Sequence, residues 1–192
     1  MPLPLQRNRF NPELRKEKLY QTILFFLHHA NNEHLGKTKL MKMLYYADFD
    51  HFEKYDDSIT GARYRKLDHG PVPDDVSDAL DALTRLGKVV PRSVRFGNAV
   101  QERFDPTEEP NLSIFTAQET DTLHEVVQRW AEHTTKRIEA ATHGEAPWIA
   151  VKWNEVIPYH LAYYRNNHGA MDLDDDELVA PDLEEAVAVT VG

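Results

Sequence analysis

The clearest pattern of apolar and polar positions in the chain lies between residues 38 and 55. At 100° per residue, its apolar side chains share one broad arc of an α-helix: Leu40, Met41, Met43, Leu44, Tyr45, Ala47, Phe52 and Tyr55. Asp48 and His51 fall inside that arc, whereas Tyr46 and Phe49 fall outside it. We therefore predict a central helix with a hydrogen-bonded carboxylate and a histidine on its core face. The two outer aromatic side chains are candidate contacts for a partner.

Helical spacing recurs on both sides of this central helix. The predicted helices begin at Asn11-Pro12, at Pro73, at the capping box formed by Thr116 and Glu119, at Thr135 and at Pro158. Residues 89–96 and 99–104 flank Gly97-Asn98, which predicts a β-hairpin. The expected fold is α+β and mainly helical, with five to six helices around a central helix and a small hairpin or sheet.

An arm and a rigid turn connect the central helix to the next one. Residues 59–67 alternate weakly and carry Arg63, Arg65 and Lys66, which are further candidate contacts. The turn His69-Gly70-Pro71-Val72-Pro73 follows, and each proline restricts the residue before it. We expect Asp48 to bond to the backbone of this turn or to His69, and so to fix it.

Charge divides the chain into a nearly neutral body and an acidic end. The net charge is −10, yet eight acidic residues and no lysine or arginine follow His168. We predict an N-terminal extension over 1–11, a domain over 12–168 and a flexible acidic tail over 169–192. There are no cysteines, no secretory signal and no apolar stretch long enough to span a bilayer, so we expect a cytoplasmic protein without membrane contact.

Catalytic and metal sites have little support in the residue spacing. Asp48 and His51 lie one helical turn apart, and His69 or His143 would be a third metal ligand. An Asp48–His69 acid–base pair would permit hydrolysis. However, no metal-ligand motif, nucleophile elbow or phosphate-binding loop is present. We assign no catalytic residue, metal or cofactor, and we expect no enzyme; a hydrolase remains an alternative.

Nucleic-acid binding is a second alternative. Three helices followed by a hairpin outline a winged-helix domain, and basic side chains occur at the start of the central helix and on the hairpin: Lys37, Lys39, Lys42, Arg92, Arg95 and Arg103. The helix in the place of a recognition helix carries Asp74, Asp75, Asp78 and Asp81, which would repel a DNA backbone. Binding to operator DNA is therefore the weaker prediction.

Two segments together resemble a known family. K-T-K-L-M-K-M-L-Y-Y-A-D (37–48), followed by G-A-R-Y-R-K-L-D-H-G-P-V-P (61–73), resembles the Panacea domain of SocA-like antitoxins and related phage-associated proteins. The resemblance extends over roughly residues 12–165 and leaves the acidic tail outside it.

The resemblance implies an antitoxin that binds a cognate protein toxin from a neighbouring gene, with a role in phage defence. Asp48 and the turn from His69 to Val72 match the motif positions of the family. With His51 and Pro73 beside them, these residues are expected to form a framework that organises the binding surface.

Overall fold

The computed structural model describes residues 12–96 and 99–165. The predicted extension (1–11), the capping residue Asn11, the hairpin turn Gly97-Asn98 and the acidic tail (169–192) all lie outside the described residues.

The described residues form a mainly helical α+β fold, as predicted. The α-helices are α1 (Lys16–His29), α2 (Lys37–Tyr55), α3 (Val76–Arg85), α4 (Ala117–Trp130), α5 (Thr135–His143) and α6 (Ala146–Ile149). The strands are β1 (Tyr64–Leu67), β2 (Gly70–Pro73), β3 (Val89–Phe96) and β4 (Ala99–Pro106). Two 3₁₀ helices cover Leu112–Ile114 and Tyr159–Tyr164.

Helix α2 is the centre of the fold. It packs against α1, α4, α5, β2, β4 and the 3₁₀ helix Tyr159–Tyr164. Because neighbours surround it, its buried residues are not confined to one stripe and run almost without a break from Leu40 to Phe52, with Met41 only partly buried. A helix that is buried on all sides loses the amphipathic pattern from which its exposed face would be predicted.

Two antiparallel strand pairs lie beside the helices. In the first, β1 pairs with β2 from Tyr64 opposite Pro73 to Leu67 opposite Gly70. The other edge of β1 bonds to residues 154–157, because the Ile157 amide donates to the Tyr64 carbonyl at 2.8 Å and the Asn154 amide to the Lys66 carbonyl at 2.8 Å. In the second, β3 and β4 form the predicted hairpin, with Val89 opposite Pro106.

The predicted start of the first helix at Pro12 is wrong. Residues 12–15 are not helical, and α1 begins at Lys16. The backbone amide of Arg15 donates to the Thr60 carbonyl at 2.7 Å. A Cβ on Gly61 would lie 2.1 Å from the Glu13 carbonyl oxygen, so the segment runs close to the 60–61 backbone. This long-range contact keeps the segment out of the helix.

The predicted opening of the third helix at Pro73 is also wrong. Pro73 is the last residue of β2, opposite Tyr64, and α3 begins three residues later with Asp75 as its N-cap. The predicted buried stripe of Val76, Ala79, Leu80 and Leu83 is confirmed, whereas Leu86 is exposed because it lies past the last helical residue.

The predicted capping box is confirmed and has a second role. Thr116 Oγ1 accepts from the Glu119 amide, and the Glu119 carboxylate accepts from the Thr116 amide. The buried Glu119 also accepts from Lys18 Nζ at 2.6 Å. The start of α4 is therefore tied to α1. Among the helices of the described residues, none combines the length and apolar character needed to cross a membrane.

Candidate interaction surface

Asp48 is the centre of a buried hydrogen-bond network. Its Oδ1 accepts from the Thr60 amide at 2.7 Å, and its Oδ2 accepts from Thr60 Oγ1 at 2.5 Å and from the Tyr64 hydroxyl at 2.7 Å. Burial raises the pKa of Asp48, while the bonds from Thr60 and Tyr64 oppose that shift. The predicted buried, hydrogen-bonded carboxylate is confirmed, but its partners belong to the arm and β1.

Lys42, rather than Asp48, connects the central helix to the turn. Its Nζ donates to the Pro71 carbonyl at 3.0 Å, and the side chain is fully buried. Gly70 has φ of 98°, and a Cβ there would lie 2.9 Å from Lys42 Cε and 2.8 Å from Thr142 Oγ1. The expected bond from Asp48 to the turn or His69 is therefore wrong, because β2 packs over Lys42 near the start of α2.

The histidines of the proposed framework lie apart. His51 is buried, and its Nδ1 lies 2.7 Å from the Asp57 carbonyl oxygen. His69 is exposed at the β1–β2 connection, with Nδ1 3.3 Å from Glu139 Oε1. Asp48 instead bonds to Thr60 and Tyr64, and His69 lies beside Glu139, so the structure does not bring Asp48 and His69 together as an acid–base pair. Within the described ranges, no group of three or more His, Cys, Asp or Glu side chains is placed to hold a metal ion.

The expected exposure of Tyr46 and Phe49 is wrong. Tyr46 is buried against Trp130 of α4, with ring centroids 4.9 Å apart. Phe49 is buried and stacked on Tyr159, with centroids 4.7 Å apart. Because α4 and the 3₁₀ helix cover the sides of α2 that the pattern left open, neither ring is available to a partner on the folded chain.

Three arm residues were candidate contacts, and they occupy two different positions. Arg63 and Arg65 both pair with Asp74, at 3.3 and 2.8 Å, and Arg65 Nη1 donates to the Asn154 carbonyl at 3.0 Å. Lys66 Nζ instead donates to the Val151 carbonyl at 3.0 Å and lies 3.9 Å from the centre of the Trp148 ring. The two arginines therefore line the outer side of the sheet, and Lys66 supports the loop behind it.

The segment beside β1 exposes apolar side chains that were not among the predicted contacts. Trp153 is 64% exposed and Val156 is 38% exposed. Val156 is bridged to Arg65 across antiparallel backbones, so the two side chains leave the sheet on the same side. Trp153 Nε1 donates to Asp68 Oδ1 at 2.9 Å, which fixes the indole at the end of β1. We call Arg63, Arg65, Trp153 and Val156 the Trp153 face.

Sequence reasoning also missed a buried charge network on α2. Arg165 Nη2 lies 2.7 Å from Asp50 Oδ1 and 2.5 Å from Glu53 Oε2. Arg129 Nη1 binds the second oxygen of Asp50 at 2.9 Å. Glu145 accepts from the Tyr45 hydroxyl at 2.8 Å, and burial raises the pKa of Glu145. No local pattern predicts these partners, because they are separated by about a hundred residues or more in several cases.

Several basic side chains proposed as phosphate contacts have partners inside the protein. Lys39 is buried and donates to the Ala131 carbonyl at 2.6 Å. Arg92 pairs with Asp105 at 2.6 Å, Lys37 with Glu102 at 3.3 Å, and Arg103 donates to the Asn32 carbonyl. Lys39 and Lys42 were expected at the surface, and that expectation is wrong because α4 and β2 cover the start of α2.

These features define a class of protein: a mainly helical α+β domain whose conspicuous polar residues form its internal framework. A family model described as "Antitoxin SocA-like, Panacea domain" matches residues 40–149, which is more than half of the chain. The chain therefore belongs to the SocA-like antitoxin family with a Panacea domain. No curated protein and no solved structure matches it. The matched range contains Asp48, Lys42 and Gly70, whereas α1 and Trp153 lie outside it.

Proposed function

We propose that this protein is the antitoxin of a toxin–antitoxin pair and neutralises a cognate toxin, encoded by a neighbouring gene, by binding directly to it in the cytoplasm. The observation that carries the proposal is the match to the antitoxin family over residues 40–149. Asp48, His51 and His69, the residues of the alternative hydrolase, have separate partners inside the protein, which favours a structural role for them.

The Trp153 face supplies the contact surface in this proposal. Large exposed apolar side chains beside charged ones are typical of interaction sites. Tryptophan and arginine are the residues that most often dominate binding energy at protein interfaces. Trp153 is held by Asp68 and Arg65 by Asp74, so both would lose little side-chain entropy on binding. Ile149, 61% exposed in the preceding helix α6, is a further exposed apolar side chain in this part of the chain.

Growth rescue tests the proposed function. The neighbouring open reading frame is expressed from an inducible promoter with and without this chain, and surviving colonies are counted. We expect the neighbour to kill and this chain to restore growth. A neighbour that is harmless, or that kills whether or not this chain is present, would overturn the proposal and leave the DNA-binding regulator and the hydrolase as the candidates.

Co-purification then separates binding from repression. A tagged copy of this chain should retain the toxin when both are expressed from unrelated promoters. Rescue that occurs only when the toxin is transcribed from its own promoter would indicate repression through operator DNA instead of direct binding.

A further inference from the structure

A groove between α1 and α3 has no occupant among the described residues. The groove has a volume of about 700 Å³. The half-buried Leu14 and Ala82 supply apolar surface, and Leu19 and Ala79, which also line the groove, are buried in the hydrophobic core. The groove is therefore continuous with the core and open to solvent, a place where an apolar side chain of another segment would be stabilised by burial.

Carboxylates line the α3 side of the groove. Asp75, Asp78 and Asp81 all border it, and none forms an ion pair with another residue in the part of the chain that is described. Two cations are nearby. Arg85 Nε approaches the backbone carbonyl of Asp81 at 3.4 Å, and Lys16 Nζ lies 5.7 Å from the centre of the Tyr20 ring. The three carboxylates therefore remain open to guanidinium groups from outside the described residues.

The composition of residues 1–11 complements this groove. The segment Met1–Asn11 carries Arg7 and Arg9, four large apolar side chains (Met1, Leu3, Leu5 and Phe10) and no acidic residue. It joins the described chain at Pro12, two residues before Leu14 on the groove wall. Eleven extended residues span up to about 36 Å, and the ten residues of α3 rise about 15 Å, so the segment is long enough to follow the whole helix.

We propose that residues 1–11 dock in the groove between α1 and α3, with the apolar side chains on its floor and Arg7 and Arg9 on the carboxylates of α3. The docked segment brings together the extension and α3, which are far apart in sequence, and covers the half-buried Leu14 and Ala82. This proposal is independent of the antitoxin function, because it concerns only the chain's own contacts.

A spin label tests the location directly. The chain has no cysteine, so Gln6→Cys in the full chain carries a single nitroxide label. In ¹⁵N spectra we expect the amide signals of Val76–Arg85 to lose most of their intensity, while those of Thr135–His143 in α5 keep theirs. Equal intensity in α3 and α5, or loss confined to parts of the protein other than α1 and α3, would overturn the proposal. A second sample mixes spin-labelled chains without ¹⁵N and ¹⁵N chains without the label. Loss of the α3 signals in that mixture would show that the segment of a second copy occupies the groove, and this result would also overturn the proposal.

Charge reversal tests the ionic part. Arg7→Glu with Arg9→Glu, and separately Asp78→Lys with Asp81→Lys, should each restore most of the α3 signal in the labelled chain. Combining all four substitutions should bring back the loss of signal, because the charges again attract. Asp121→Lys, an exposed acidic position on α4, is the matched control and should leave the pattern of the labelled parent chain unchanged. A combined variant that behaves like the two separate ones would contradict the pairing.

Discussion

At the residue scale, the conspicuous polar side chains of the motif hold the framework together. Asp48 accepts three hydrogen bonds from two residues, and Lys42 donates to the carbonyl of Pro71. A buried polar group that is satisfied contributes little net stability, but its removal leaves its partners unpaired at a larger cost. The motif residues are therefore expected to respond to substitution through folding.

Substitution of Asp48 by alanine should destabilise the protein. It leaves the Thr60 amide and the Thr60 hydroxyl without their acceptor, and it leaves the Tyr64 hydroxyl with the Leu44 carbonyl alone, at a cost on the order of 1–3 kcal/mol. Denaturant unfolding of Asp48→Ala, with Asp121→Ala as the exposed control, measures the free energy of unfolding. Equal unfolding free energies for Asp48→Ala and the parent would contradict the assigned network.

Lys42 should make stability depend on pH in the alkaline range. Burial lowers the pKa of Lys42 from 10.5 to about 8 in the folded protein. A lysine with a depressed folded pKa contributes stability that is fully present above the unfolded pKa and is lost as pH falls through the folded pKa. Relative to Lys42→Met, the parent should therefore gain stability as pH rises from 8 towards 10.5, by up to about 3 kcal/mol.

Unfolding free energies at several pH values give this difference. Lys136→Met, which removes an exposed lysine from α5, is the matched control. The same slope of stability against pH in Lys42→Met and in the parent would show that Lys42 is not buried as described.

At the element scale, the strand β2 depends on close contact between Gly70 and the helices behind it. Gly70 has φ of 98°, and the space for a Cβ is taken by Lys42 and Thr142. The sequence predicted a rigid turn at this place because of its two prolines. In the structure these residues form the strand β2, because they pair with β1.

Gly70→Ala and Gly87→Ala form a matched pair that tests this contact. Both glycines have positive φ, at 98° and 72°, but a Cβ on Gly87 would meet open space. Gly87→Ala should cost about 1–2 kcal/mol from backbone strain. Gly70→Ala should cost a further ~1–3 kcal/mol from overpacking. Thermal and denaturant unfolding measure both; a Gly70→Ala variant as stable as Gly87→Ala would contradict the packing of β2.

Elements with local signals were predicted well, and elements decided by distant contacts were not. The capping box of Thr116 and Glu119 and the β3–β4 hairpin depend on neighbouring residues, so spacing was sufficient to place them. The start of α1 was misplaced because Thr60 binds the Arg15 amide. Tyr46 and Lys39 looked like surface residues because a helical wheel contains no information about α4 packing on the other side.

At the scale of the whole molecule, Arg165 joins the last described residues to the central helix. Its guanidinium is almost fully buried and contacts Asp50 and Glu53 on α2, with Glu145 at 3.8 Å. These residues come from three separate parts of the chain, and the carboxylates of Asp50 and Glu145 are also buried or nearly so. Loss of the arginine would leave Glu53 and Glu145 without this cation and Asp50 with Arg129 alone.

Arg165→Met should therefore be among the most destabilising single substitutions. Breaking a buried ion pair by removing one partner costs about 3–5 kcal/mol, because the remaining charge stays uncompensated. Arg95→Met, at an exposed position on β3, is the control. Denaturant unfolding gives both values, and a cost for Arg165→Met no greater than that of Arg95→Met would contradict the buried network.

The Trp153 face offers a test of contact that is separate from folding. Trp153→Ala removes a side chain that is 64% exposed, and Val100→Ala removes one that is 72% exposed on the hairpin. If Trp153 is a central contact, its removal should weaken toxin binding by about tenfold or more without lowering the melting temperature. Equal affinity of the two variants would move the contact surface elsewhere and leave direct binding intact.

The measurement that tests the central claim most directly is calorimetric titration of this purified protein with the purified product of the neighbouring gene. We predict saturable, stoichiometric binding by the parent chain, in the absence of DNA and of any other protein. A parent chain that is folded and binds nothing, while it still rescues growth, would contradict neutralisation by direct binding.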